Sequence, residues 1–332
     1  MFPYMALTIA DDSIPFDSTH AVIYQEAARH MTASDFDAVS LRQSHLHESP
    51  QAFRDILKYF EIKPGYLLAI RLGHGLGLNL VMATYMPSLV SYFFICCLLF
   101  IWIQKILPLP IAAMGTLLLA ASSFLIQTAR YSSPDMMCAI ITLAGLFLIA
   151  EYSAGIGLLI CGLAIPVRPD SIILFLFLTI VLYRTKKIGL LPSLAVCTTG
   201  VFVAVLILGD LGLLQEFLFI DSSYSSAWTT TELIQRYFLS VRSGLTSLIN
   251  SQTFIFLFLA AVTLYLRMKN REIFNDRWSP LIVAAIATMV ARYLLHPVVE
   301  DRFQISCYLL VIIGFCKTVS GLITPKAIGT LH

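Results

Sequence analysis

The sequence predicts an all-α, polytopic transmembrane helix bundle of about nine spans, preceded by an external helical region. Of the 332 residues, 58% are hydrophobic and only 13% are charged, whereas a soluble domain is nearer half apolar and a quarter charged. The mean hydropathy is +0.81. After about residue 82 the chain is a series of long apolar runs, and a spanning helix needs roughly 20 apolar residues. A single aqueous core cannot bury that much apolar surface.

The apolar runs define the individual spans and the domain boundary. The candidate spans are 84–104, 108–128, 134–151, 169–184, 188–209, 250–267, 279–296 and 304–322. The shorter run 155–166 is interpreted as a broken helix, which a membrane tolerates where the break lines a cavity. Residues 1–82 form the polar first region, and 83–332 form the bundle with an external loop at about 210–249. Within that loop, 231–247 is amphipathic and is expected to lie flat on the membrane.

Basic residues in short connectors predict the orientation. Two connectors, 184–187 and 267–277, are dense in Lys and Arg and are separated by two spans, so both lie on one side, which the positive-inside rule makes cytoplasmic. The first region, the corner at 168–170 and the loop at 210–249 then lie outside. The opening stretch, MFPYMALTIADDS, lacks the basic start and long apolar stretch of a signal peptide. We therefore expect a further spanning helix upstream, with an inverted topology as the alternative.

Several function classes are disfavoured by composition. The net charge is +2, and no basic tail or basic–aromatic pattern of the kind used for nucleic acid is present. The seven cysteines all fall in apolar runs and form no CxxC pair. They are interpreted as small packing residues.

Charged residues gather at the ends of the apolar runs on the predicted external side. They are Asp11, Asp12, Asp17, Lys63, Arg130, Asp135, Arg168, Asp170, His296, Glu300, Asp301 and Arg302. Charges at membrane depth are costly and usually pair, face a cavity or mark a functional path. Arginine can grip a phosphate bidentately, and a nearby carboxylate can accept a proton from an attacking hydroxyl. The set therefore suits a reaction on a phosphorylated lipid.

Each of these charges also has a purely structural interpretation. Arg168 and Asp170 could form a local ion pair that closes a turn between two spans. Asp135 follows Pro134, and a proline with an acidic residue in the first turn is an ordinary helix start. Arg302 could be an interfacial anchor, and Lys63 could be solvated surface.

The order of these motifs resembles the GT-C class of membrane glycosyltransferases, which includes protein O-mannosyltransferases and lipid A aminoarabinose transferases. An acidic motif in the first external region is followed by a KP-x-Y-like segment, a turn ending in Pro-Asp, an Arg-x-Asp corner and a late Arg-aromatic pair. In this sequence they read ADDS or FDSTHAVIY, IKPGYLLAIRLGHGLG, ARYSSPDMM, PVRPDSIIL and EDRFQISCYLL. The resemblance covers roughly residues 11–310. This sequence departs from the family in lacking its first membrane helix.

The resemblance implies a role for each candidate residue. The base is Asp17 or the acidic pair Asp12 and Asp11, with Asp17 favoured. The cations that hold the donor phosphate are Lys63, Arg168, Arg302 and Arg130. Further site residues are Asp135, Asp170 and His296.

The resemblance also implies substrates and location. The donor is a polyprenyl-phosphate-linked sugar, and the acceptor is an extracytoplasmic glycan, lipid or protein. The enzyme lies in the bilayer of the bacterial inner membrane and needs no cofactor, although a divalent cation, Mg²⁺ or Mn²⁺, could join the acidic pair. Two alternatives remain open: a transporter or flippase of a lipid-linked or anionic solute, and an inactive, truncated glycosyltransferase relative.

Overall fold

The computed structural model describes residues 1–9, 16–41, 44–189, 193, 195, 198–201, 230–249, 251–269, 276–295 and 301–323. Every regular element in these residues is helical, and they contain no strand. The predicted all-α class is therefore confirmed for the described chain.

Six helices form the N-terminal part of the molecule. They are α1 (Phe2–Ile9), α2 (Phe16–His30), α3 (Ala33–Leu41), α4 (Ser44–Glu48), α5 (Pro50–Glu61) and α6 (Pro64–Gly75). Helix α5 starts at a favourable cap, since the Ser49 side chain accepts a hydrogen bond from the Ala52 amide and Pro50 occupies the first turn. The six helices contribute to a core that includes the buried rings of Phe2, Tyr4 and Phe53 and extends to Leu80 and Cys138 of the bundle.

The remaining helices form the bundle. They are α7 (Leu80–Gln104), α8 (Leu109–Ala120), α9 (Ser123–Arg130), α10 (Asp135–Glu151), α11 (Ala154–Gly162), α12 (Ile172–Arg184), α13 (Thr230–Ile249), α14 (Gln252–Lys269), α15 (Trp278–Leu295) and α16 (Ile305–Ile323). Two short 3-10 helices, Pro169–Ser171 and Asp301–Gln304, precede α12 and α16. Helix α13 covers the predicted amphipathic segment 231–247.

Four helices of the described chain are long and apolar enough to cross a membrane. They are α7, α14, α15 and the continuous stretch Asp301–Ile323. Helices α8 and α9 are bent by 52° at the break between them, and they give a fifth span if they are counted together. The chain thus has the character of a membrane protein, with four to five candidate spans.

The predicted count of nine spans is not confirmed. Helices α10, α11 and α12 have 17, 9 and 13 residues, and at 1.5 Å per residue all three are shorter than the roughly 30 Å hydrocarbon layer. The break at Ser153 lies between two predicted runs, and the turns at 163–171 shorten the predicted runs 155–166 and 169–184. The predicted span 188–209 lies largely outside the described residues.

Close helix packing sets the position of α10, whose N-terminus carries Asp135. Glycines face each other where α10 crosses α11, and a Cβ atom on Gly145 would lie only 2.4 Å from the Cys161 sulfur and 2.6 Å from the Gly157 carbonyl oxygen. Helix α10 also packs against α7, while α12 packs against α15 and α14 against α16. These contacts gather the start of α10, the end of α15 and the start of α16 at one end of the bundle.

The opposite end of the bundle has a buried arginine of its own, Arg267, in the last turn of α14. Its guanidinium pairs with Asp276 and donates to the hydroxyl oxygens of Ser279 and Thr318, each at 3.0 Å. Ser279 lies in the first turn of α15 and Thr318 lies late in α16. This arrangement ties the ends of three helices together.

Candidate functional site

A network of charged side chains lies where the start of α10, the turn before α12, the end of α15 and the start of α16 meet. The members of this arginine network are Asp135, Arg168, Asp170, Arg292 and Arg302. They come from four separate segments of the chain. Only the tertiary fold can bring them together.

Arg168 is the centre of the arginine network. Its side chain is buried, and it reaches Asp170 through two parallel hydrogen bonds, from Nε at 2.9 Å and from Nη2 at 2.7 Å. Its third nitrogen, Nη1, donates to Asp135. Bidentate arginine–carboxylate pairs are among the stronger and more directional polar contacts in proteins. Arg168 therefore does more than close the local turn with Asp170, because it also binds a carboxylate 33 residues away.

Asp135 is the first residue of α10 and is also buried. The Ser133 hydroxyl donates to its Oδ2 at 2.9 Å. A carboxylate is stabilised at a helix N-terminus by the unpaired amides and the helix dipole. Asp135 starts a helix, as its position after Pro134 indicates, and it also pairs with Arg168.

Two further arginines surround the same carboxylates. Arg292, in the last turn of α15, places Nη2 3.4 Å from the Asp170 carboxylate and donates from Nη1 to the Phe303 carbonyl. Its buried Nε has no hydrogen-bond partner in the described part of the chain. Arg302 places Nε 3.7 Å from Asp135, and 35% of its side chain is exposed.

The phenyl ring of Phe303 lies between two of the guanidiniums. The ring centroid is 4.1 Å from the Arg168 guanidinium carbon and 4.9 Å from that of Arg302. The Tyr131 ring lies 5.9 Å from Arg302 on another side. Aromatic faces attract cations, so these rings hold the arginines in place without neutralising them.

Within the described members of the arginine network, three guanidiniums share two carboxylates. Burying charge is costly unless it is paired, and Arg302 is the arginine of the network whose side chain reaches solvent. Such an arrangement favours an anion arriving from outside.

Lys63 adds a further positive charge near the network. It is half-buried, its Nζ donates to the Tyr4 hydroxyl at 3.3 Å, and it lies 4.9 Å from the centre of the Phe60 ring. Burial lowers the pKa of Lys63 to about 8, with Arg168 lowering it further and the carboxylates of Asp135 and Asp170 opposing the shift. Lys63 is thus mostly charged at neutral pH and close to losing its proton.

A contact between α6 and the turn before α12 joins Lys63 to Arg168. The Gly65 amide donates to the Pro166 carbonyl at 2.9 Å. A Cβ atom at position 65 would lie 3.1 Å from the Val167 side chain and 3.2 Å from the Pro166 carbonyl. Only glycine permits this close approach without a shift, so the KPG and VRPD segments dock directly on each other.

A third carboxylate at this end, Asp301, has different surroundings. It belongs to the 3-10 helix before α16, directly before Arg302, and its Oδ1 accepts a hydrogen bond from the Tyr308 hydroxyl at 2.8 Å. Tyr308 is buried and also hydrogen-bonds with Thr253 at the start of α14.

Other residues expected at the site lie elsewhere or cannot be placed. Asp17 is exposed in the first turn of α2 and has no ionic partner among the described residues. Arg130 is exposed at the end of α9 and likewise has no ion pair within the described chain. Asp11, Asp12 and His296 lie outside the described residues. The proposed roles of all five stay predictions.

Two members of the site are not among the site residues predicted from the sequence. Arg292 is a lone charge inside an apolar run. An isolated charge within a candidate span is the sequence signal that identifies it as a candidate site residue. Phe303 carried no chemical signal, because its role depends on its position between two arginines.

The described carboxylates of the arginine network do not suit a divalent cation. Asp135 and Asp170 are both engaged by guanidiniums, and Mg²⁺ prefers carboxylates and water as ligands. No group of three His, Cys, Asp or Glu residues at metal-binding distance occurs among the described residues.

Comparisons with protein-family models, with curated proteins and with solved structures found no match for this chain.

Proposed function

We propose that the protein is an integral membrane glycosyltransferase of the GT-C type that moves a sugar from a polyprenyl-phosphate donor to an extracytoplasmic acceptor. The observation that carries the proposal is the gathering of three arginines and Lys63 around two shared carboxylates at one end of an apolar helix bundle. A lipid phosphate in the bilayer interface would bind beside these cations. The proposal includes the predicted nine-span bundle, in a bacterial inner membrane.

The cations of the site suit a departing phosphate. Arg302 is the most exposed arginine of the network and is the first that a lipid phosphate would meet, with Lys63 as a second point of attachment. When the sugar–phosphate bond breaks, negative charge grows on the phosphate oxygens. Fixed cations aimed at that charge stabilise the transition state. Buried Arg168 holds the carboxylates that keep the neighbouring guanidiniums in place.

The transfer also needs a carboxylate that accepts the proton of the attacking hydroxyl. The resemblance to the GT-C class offers Asp17, Asp12 and Asp11 for this role, with His296 and Arg130 as further residues near the substrates.

A transporter or flippase is the rival function, and Arg292 is the observation that favours it. This arginine lies in a candidate membrane span, and its Nε has no partner in the described chain. However, it is in the last turn of α15, at the end of the bundle, whereas transporters place their substrate sites near the bilayer midplane.

The test is transfer from labelled donors. Membranes that contain the protein are incubated with a panel of radiolabelled polyprenyl-phosphate sugars, and the label in acceptor material is counted for the wild type and for Arg302→Ala. The control is Arg54→Ala, because Arg54 also lies over a phenylalanine ring, that of Phe16, but outside the network. We expect transfer that Arg302→Ala lowers about 10- to 100-fold and Arg54→Ala leaves unchanged, since hydrogen bonds to charged groups contribute about 1.5–3 kcal/mol.

Three other outcomes would refute the enzyme. Movement of the donor across proteoliposomes without a covalent product would identify a transporter. Tight donor binding with no transfer to any acceptor would identify an inactive relative. Neither binding nor transfer would remove the lipid-phosphate interpretation altogether.

A further inference from the structure

Asp301 is a carboxylate at this end of the bundle, and no cation of the described chain binds it. Asp135 is held by Arg168 and Arg302, and Asp170 is held by Arg168 and Arg292. Asp301 has one described partner, the Tyr308 hydroxyl, and is partly exposed. A carboxylate held by arginines gives up those ion pairs when it accepts a proton. Asp301 has no such ion pair among the described residues.

A chain of hydrogen bonds fixes the position of Asp301. The Tyr308 hydroxyl has one proton, which it donates to Asp301, so the contact between Tyr308 and Thr253 must use a proton from the threonine hydroxyl. The Tyr308 ring is itself locked by a stacked Phe256 ring at 4.1 Å. The carboxylate is therefore oriented by groups that cannot easily move.

The position of Asp301 also suits a reaction at a bound phosphate. It directly precedes Arg302, so their Cα atoms are about 3.8 Å apart, and the 3-10 helix that carries both contacts α9, α10 and α14. Asp17 takes part in none of the described ion pairs with these arginines. The ring before it, Phe16, packs on Phe53, and Phe53 lies seven residues, or about 10 Å of helix, from the Phe60 ring beside Lys63.

We propose that Asp301 is the general base of the transfer, with Tyr308 and Thr253 as its positioning residues; this inference rests on the proposed glycosyltransferase function. The acceptor hydroxyl oxygen attacks the anomeric carbon from the face opposite the phosphate. The new carbon–oxygen bond forms as the bond between the sugar and the phosphate oxygen breaks. The hydroxyl proton passes to the Asp301 carboxylate, and polyprenyl phosphate departs with the bonding electron pair towards Arg302.

The test compares an acceptor that must lose a proton with a nucleophile that has none to lose. Azide can attack the anomeric carbon and release polyprenyl phosphate without a base. We expect Asp301→Asn to lower transfer to endogenous hydroxyl acceptors about 100-fold or more, the usual contribution of a general base. In the presence of azide the same variant should form glycosyl azide, detected by mass spectrometry, at a rate near that of the wild type.

The control variants separate catalysis from folding. Asp35→Asn removes a carboxylate that also accepts a hydroxyl hydrogen bond, from Thr32 at 2.6 Å, but in the N-terminal helices, and it should leave transfer unchanged. Tyr308→Phe keeps the ring packing and should lower the turnover rate without weakening donor binding. Its pH–rate profile should shift, which a purely structural change would not cause.

Two results would overturn the assignment of Asp301. One is loss of both transfer and glycosyl azide in Asp301→Asn, which would show that the residue serves folding or donor binding. The other is near-normal transfer by Asp301→Asn together with loss of transfer by Asp17→Asn. Absence of transfer by the wild type with every donor is a distinct result, and it would remove the proposed function and this assignment with it.

Discussion

The two ends of the bundle each bury an arginine, but they treat its charge differently. Arg267 pairs with Asp276 and donates to the hydroxyls of Ser279 and Thr318. Arg168 pairs with two carboxylates, and those carboxylates are shared with two further arginines. At one end a buried arginine joins helix ends, whereas at the other end several arginines share the same carboxylates with Lys63 close by.

The difference indicates that several arginines around shared carboxylates mark a candidate site better than burial alone does. The pair Arg267–Asp276 is explained by the need to join helix ends. Additional arginines around the same two carboxylates add mutual repulsion. An anionic ligand would offset it. Substitutions at the two ends should therefore distinguish effects on ligand binding from effects on the stability of the fold.

The largest effect is expected from matched glutamine substitutions of the two arginines. Removing one member of a buried ion pair costs about 3–5 kcal/mol, so both Arg168→Gln and Arg267→Gln should lower the thermal unfolding temperature in detergent. Only Arg168→Gln should also weaken binding of a polyprenyl-phosphate sugar, by more than about 100-fold, in the fraction that remains folded. Equal loss of binding in Arg267→Gln would show that the two ends do not differ in function.

A second effect concerns pH and Lys63. Burial lowers the pKa of Lys63 to about 8, so its positive charge is present below that pH and is lost as the pH rises through it. A polyprenyl-phosphate sugar is a phosphodiester with a constant negative charge over this range. We expect its affinity to fall about tenfold between pH 7 and pH 9, as the competent protonated fraction falls.

Substitutions of Lys63 provide the control for that titration. Lys63→Arg should move the loss of affinity to much higher pH, because arginine stays protonated. Lys63→Met should give weak binding that does not change between pH 7 and pH 9. A wild-type profile that stays flat would separate Lys63 from the phosphate site.

A smaller effect is expected where α6 docks on the turn before Arg168. Gly65→Val introduces a side chain within 3.1–3.2 Å of Val167 and Pro166, and such overpacking costs about 1–3 kcal/mol. The displaced turn should also weaken donor binding a few-fold. Gly155→Val is the matched control, because Gly155 is likewise the second residue of its helix but has open space around its Cβ direction. If both variants lose equal stability, the contact does not matter.

The smallest effect is expected at Arg130. The motif order groups this residue with the phosphate-binding cations, but it is exposed at the end of α9. Solvent screens exposed charges, so Arg130→Ala should change donor affinity by less than about twofold in the same titration. A tenfold loss would instead extend the site along α9.

The sequence predicts the helical class and the polar corners, because both depend on local patterns. The apolar runs become helices, and the Pro-Asp and Arg-x-Asp motifs mark the start of α10 and the turn before α12. The span count could not be obtained in this way. Hydropathy does not show where an apolar run breaks, and the predicted span 108–128 is divided into α8 and α9, which are bent by 52° at the break between them.

Which residues form the site depends on tertiary contacts that the spacing of residues along the sequence does not reveal. Arg168 binds Asp135 across 33 residues, and Arg292 reaches Asp170 from a different helix. Which side of α15 faces the network is decided by its packing against α12 and α16. The link between Tyr308 and Asp301 was overlooked because a tyrosine within an apolar run looks like an ordinary packing residue.

The location of the bound lipid phosphate tests the central claim most directly. Purified protein in nanodiscs is mixed with a polyprenyl phosphate that carries a photoreactive diazirine beside the phosphate, and the crosslinked peptides are mapped by mass spectrometry. We expect adducts on the segments around Lys63 and Arg302, competed away by unlabelled polyprenyl phosphate. Adducts on 267–279, at the Arg267 end of the bundle, or adducts spread evenly over the lipid-facing helices would contradict a phosphate site at the arginine network.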